Sequence, residues 1–159
     1  MKKRTIASPN TASVNLNVAP FNAPAKGLAL TTATYDAGSL KSSQKGQVTI
    51  TNPQTLNVLT QGGAVQLTIG VVDSKGAEDY FPIGMFMTGQ KAQTGVDNFP
   101  KCYVQVSDGT LTFIDTCTTA KKSFEFYIVV QRQSDNAVAI IDPGISHDGA
   151  TLGGGRGRK

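Results

Sequence analysis

The chain contains no tryptophan, a single histidine and two cysteines in 159 residues. Each scarcity narrows the reading. His147 has no Cys or His at ligand spacing, so no zinc site is expected. Asp142, His147 and Asp148 would hold a cation only loosely, and they read as a turn cluster after the last strand. Ser146 and His147 are neighbours on one segment, and adjacent side chains do not converge as a catalytic triad must. Two thiols supply no disulfide framework, so Cys102 and Cys117 are expected to be reduced and partly buried. Without tryptophan, a sugar-stacking platform would have to come from Tyr35, Tyr80, Phe81, Tyr103 or Tyr127. No catalytic residue, metal or cofactor is expected.

Charge is also sparse, at 16% of residues, below the usual quarter. Gly, Ser, Thr, Asn and Gln take its place, which suits short strands and polar turns better than amphipathic helices. No apolar run approaches the ~18 residues a membrane span needs. Met1-Lys2-Lys3-Arg4 opens like a signal peptide, but Ile6-Ala7-Ser8-Pro9-Asn10-Thr11 follows in place of an apolar core, so none is expected.

The net charge of +4 is unevenly placed. Lys2, Lys3 and Arg4 lie at one end, and Arg156, Arg158 and Lys159 at the other. Setting those six aside from the fifteen basic residues leaves nine against eleven acidic ones. The body is therefore slightly acidic, and any attraction to nucleic acid or another anion belongs to the ends. The terminal Gly153-Gly154-Gly155-Arg156-Gly157-Arg158-Lys159 lacks the Gly-Lys-Ser/Thr ending of a phosphate-binding loop.

Two-residue periodicity dominates between the ends. Val14, Leu16 and Val18 alternate with polar neighbours, as do Val48 and Ile50, Val65 to Val71, and Phe124 to Val130. Tyr80 to Met87 is apolar but carries Pro82 and Gly84, which marks an edge or bulged strand. Asp36-Ala37-Gly38-Ser39 reads as a turn, and Asp142-Pro143-Gly144 as the end of the last strand. Asp108-Gly109 predicts a two-residue hairpin loop that sets Val106 opposite Leu111 and Val104 opposite Phe113. Roughly eight to ten strands, with turns every 8–12 residues, predict an all-β antiparallel sandwich, with jelly-roll topology favoured over immunoglobulin-like. The expected organisation is a basic N-terminal arm with a short strand over 1–25, a sandwich over 26–145, and a Gly-rich basic tail over 146–159.

This plan of a basic arm (Lys2-Lys3-Arg4), a linker broken by Pro20 and Pro24, and a sandwich resembles small virion proteins of single jelly-roll type. The resemblance implies a capsid or virion subunit located in the virion and assembled in the host cytoplasm. It implies a homo-oligomer or a partner of other virion proteins, with Val14, Leu16 and Val18 on an inter-subunit strand. The basic ends would then touch nucleic acid or neighbouring subunits. Two alternatives stand beside it. One is a nucleic-acid-associated protein that holds phosphate through both ends. The other is a carbohydrate- or surface-binding sandwich.

Overall fold

The computed structural model describes residues 8–22, 31–52, 54–87, 101–105 and 109–149. Twelve strands and one short 3₁₀ turn occur among them. In chain order the strands are β1 (Asn10–Val18), β2 (Thr31–Thr32), β3 (Tyr35–Ser42), β4 (Val48–Asn52), β5 (Thr55–Val58) and β6 (Val65–Asp73). Then follow β7 (Tyr80–Met87), β8 (Lys101–Gln105), β9 (Thr110–Asp115), β10 (Ser123–Arg132), β11 (Val138–Ile141) and β12 (Gly144–His147).

They form two sheets. The first runs β3-β1-β6-β9-β8; the second runs β2-β11-β10-β12-β5-β4, with β7 also paired to β10. Alternation decides which side of each sheet is buried. Ala12, Val14, Leu16 and Val18 of β1, Val65 to Val71 of β6, and Leu111 and Phe113 of β9 turn inward. Phe124, Phe126, Ile128 and Val130 of β10, with Ala139 and Ile141 of β11, turn inward from the other sheet. All belong to one buried cluster. The rings of Phe113 and Phe126 meet across the layers at 5.8 Å. The architecture is therefore all-β and sandwich-like, as the periodicity predicts.

Strand orientation differs from the antiparallel expectation. β1 runs parallel to β6, β2 to β11, and β5 to β12. In each case the chain visits other strands before returning beside its parallel partner, and such a return cannot be a tight hairpin.

Three local expectations are corrected. Asp36 to Ser39 lies inside β3, where Val14 pairs with Leu40 but Leu16 pairs with Ala37, so the pairing skips a residue. Gly38 sits at this bulge because a Cβ there would lie 3.0 Å from the Asn15 carbonyl oxygen and 2.9 Å from Asn17 Nδ2. Asp142-Pro143 does not end the sheet. Ile128 faces Ile141 and Glu125 faces Gly144, so β11 and β12 continue one register along β10. Pro143 still accepts from the Phe126 N–H at 3.2 Å but has no N–H to return, and the ladder breaks there. Finally, Val104 pairs with Leu111 and Cys102 with Phe113, a shift of two residues from the expected register. A shift of two keeps every side chain on its face, so periodicity does not separate the two registers. Gly109 has φ +59°, and Asp108 lies outside the described residues.

β7 matches its expectation. It pairs only with β10 among the described residues, and its register shifts between Val129 and Val130, opposite Gly84 and Pro82. β1 lies within the first sheet, and Ser146 and His147 lie within β12, both buried.

Candidate interaction surface

The two sheets present different outer faces. On the first, Thr11, Ser13, Asn15 and Asn17 of β1 stand beside Gln66 and Thr68 of β6. Thr68 and Thr112 share a hydroxyl–hydroxyl hydrogen bond of 3.3 Å. Val72, 39% exposed, is the large apolar side chain left open on β6. This is the polar outer side expected of a solvated sheet.

The outer face of the second sheet carries an apolar strip over β7, β10 and β11, while β4 shows Thr49 and Thr51 to solvent. Phe86 pairs with Tyr127, and Val129 with Ile140. Val138 stands opposite Gln131, and Ile83 is the extra residue of the β7 bulge. Ile83 and Phe86 are 46% and 45% exposed, and the other four are half-buried. The Phe86 and Tyr127 rings stack at 5.2 Å with 17° between their planes. Glu125 and Asp142, both exposed, border the strip near Tyr127. A sheet apolar on both faces is normally covered on both. The signal is visible in the sequence: Tyr127-Ile128-Val129-Val130 and Val138-Ala139-Ile140-Ile141 are continuous apolar runs where a half-exposed strand would alternate.

The sequence-predicted site residues are placed elsewhere. Lys2, Lys3, Arg4, Arg156, Arg158 and Lys159 lie outside the described residues. Val14, Leu16 and Val18 turn into the core of their own chain, and β1 has both edges hydrogen-bonded within it, to β3 and β6. Of the aromatics considered for sugar stacking, Tyr35 and Tyr80 are buried at 3% and 4% exposure, while Phe81 and Tyr127 are half-buried. The Tyr103 side chain lies outside the described residues.

A second cluster, inside the sandwich, was not anticipated. Asp115 continues the inward series Leu111, Phe113 on β9, and His147 continues Ile145 on β12. They meet between the layers, Nε2 to Oδ2, at 2.8 Å, and both are 0% exposed. The other ring nitrogen, Nδ1, faces the Thr119 carbonyl. The Cys117 N–H donates to Asp115 Oδ1 at 2.8 Å, and the Phe124 ring lies 4.9 Å from the imidazole. Burial opposes charging His147, but the hydrogen bond and charge of Asp115, helped by the Thr119 carbonyl, outweigh it and raise its pKa above the ordinary value. Cys117 carries a free thiol pushed up to about 12, first by burial and then by Asp115. Just beyond β12, Asp148 accepts from Thr60 N at 2.9 Å and Thr60 Oγ1 at 2.7 Å. Asn57 Oδ1 accepts from Gly149 N at 2.6 Å and from Ser146 Oγ at 3.2 Å.

No protein-family model matches this chain, and no curated protein matches it either. Among the described residues, no helix is long and apolar enough to cross a membrane.

Proposed function

We propose that this chain is a structural subunit of a larger assembly, and within that class a capsid or virion protein of a virus or phage. The single supporting observation is the apolar strip on the outer face of the second sheet, which carries Ile83, Phe86, Tyr127, Val129, Val138 and Ile140. Covering Ile83 and Phe86, each a little under half exposed, contributes about 1 kcal/mol apiece. A jelly-roll descent remains part of the proposal and rests on the plan of the sequence, since the sheets are mixed in direction. Light scattering on purified protein across concentration tests the assembly reading, with a rising mass expected. A mass fixed at the monomer, together with absence from any particle in the source material, removes it.

Charge segregation supports a second role for the same subunit. Six basic residues at the two ends flank a slightly acidic body, so the ends are the parts suited to phosphate. Removing residues 1–4 and 156–159 together is expected to abolish binding to nucleic acid. Unchanged binding assigns it elsewhere or to no specific site. For sugar binding the structure offers little, because Phe86 and Tyr127 turn their faces toward each other.

A further inference from the structure

We propose that Asp115 and His147 form a proton-operated latch that fastens β12 and the 116–122 segment across the end of the sandwich, closed while a proton lies between Nε2 and Oδ2 and opened when the pair loses it. The case begins with acceptors. Thr119 offers a carbonyl oxygen to Nδ1, and Asp115 offers a carboxylate oxygen to Nε2. A carbonyl cannot donate, so Nδ1 carries a proton, and the Cys117 N–H occupies the second oxygen of Asp115. The 2.8 Å contact between Nε2 and Oδ2 therefore holds one proton, which either atom can carry. Loss of that proton would set a nitrogen lone pair against an oxygen lone pair at a site where His147 and Asp115 are both 0% exposed.

The latch joins parts distant in sequence. Asp115 ends β9 in the first sheet, and His147 ends β12 in the second. Thr119 belongs to the segment between β9 and β10, whose Cys117 and Lys121 hold φ of 55° and 53°. Such left-handed conformations in residues with side chains persist where the surroundings enforce them. The His147 N–H donates to the Lys122 carbonyl at 2.7 Å, so ring and backbone hold the same segment. Among the described residues, the titratable groups acting on the imidazole are Asp115 from β9 and Asp148 from the turn after β12, and Cys117 of the segment after β9 is bonded to Asp115. Both carboxylates favour the proton on His147, and Cys117 is uncharged in the relevant range. β12 is the last strand among the described residues, and the latch holds its end to the sandwich.

The test uses the full chain and benefits from its single histidine. Proton–carbon NMR of the imidazole gives an unambiguous titration. Hydrogen exchange, corrected for the intrinsic rate at each pH, gives the opening of amides in 116–122 and 144–149. The expected result is a midpoint above the free-histidine value of about 6.5 and a loss of protection across that transition. The opening equilibrium should rise by about tenfold for each unit by which the midpoint exceeds the free value. In His147→Gln, exchange at these amides should lose that pH dependence while far-UV circular dichroism keeps its β spectrum. If the variant does not fold, the wild-type titration still decides. A midpoint at or below the free value, protection flat through the transition, or an imidazole that stays protonated up to pH 10 each overturns the latch.

Discussion

Phe126 is 1% exposed and its ring meets Phe113 from the opposite sheet, so its deletion leaves a void between the layers. Phe126→Ala should cost about 3–5 kcal/mol in urea unfolding. Glycines separate more finely. At Gly38 an added methyl meets the Asn15 backbone oxygen at 3.0 Å, which cannot withdraw without breaking the β1–β3 ladder. At Gly70 it meets the Oδ1 of the exposed Asn15 side chain at 2.6 Å, which can rotate away. Gly38→Ala should therefore destabilise by about 1–3 kcal/mol, and Gly70→Ala should cost well under about 1 kcal/mol in the same measurement. Stability should also depend on pH at both ends. His147 has a raised pKa, so its contribution is complete below the free-histidine value and lost as pH rises through the folded value. Asp148 is lowered, chiefly by the Thr60 N–H and hydroxyl, so its contribution is present above the ordinary carboxylate range and lost as pH falls through the folded value. Thermal melts from about pH 2 to about pH 10 should show a plateau between those limits, and His147→Gln should remove the alkaline fall.

Among the elements, β7 and β10 separate folding from association. Ile83 and Phe86 lie on the outer side and contribute nothing to the core between the sheets. Ile83→Ser with Phe86→Ser should leave the melting temperature within a few degrees of wild type while reducing self-association. Most strands were legible in the sequence because one buried face imposes alternation, as in Val65 to Val71 and Phe124 to Val130. What alternation does not encode was missed. Gly38 marks a bulge that shares its residue types with a turn, and Pro143 interrupts a ladder that resumes in the same register. The hairpin register slipped by two because faces repeat every two residues. The Asp115–His147 contact spans 32 positions and joins two sheets, and no local spacing announces it.

For the whole molecule, the contrast between the outer faces carries the functional reading. One sheet shows Asn, Ser and Thr to solvent, and the other shows Ile, Phe, Tyr and Val beside a paired edge strand. Charge adds a second asymmetry, with basic ends on a slightly acidic body. Association driven by the apolar face should persist in high salt, whereas contacts made by the ends should weaken as salt screens them. Sedimentation velocity over a concentration series, comparing wild type with Ile83→Ser/Phe86→Ser in high salt, tests the central claim most directly. The account predicts a wild-type sedimentation coefficient that climbs with concentration and a double variant that stays at the monomer value. Coincident curves for the two proteins would contradict it.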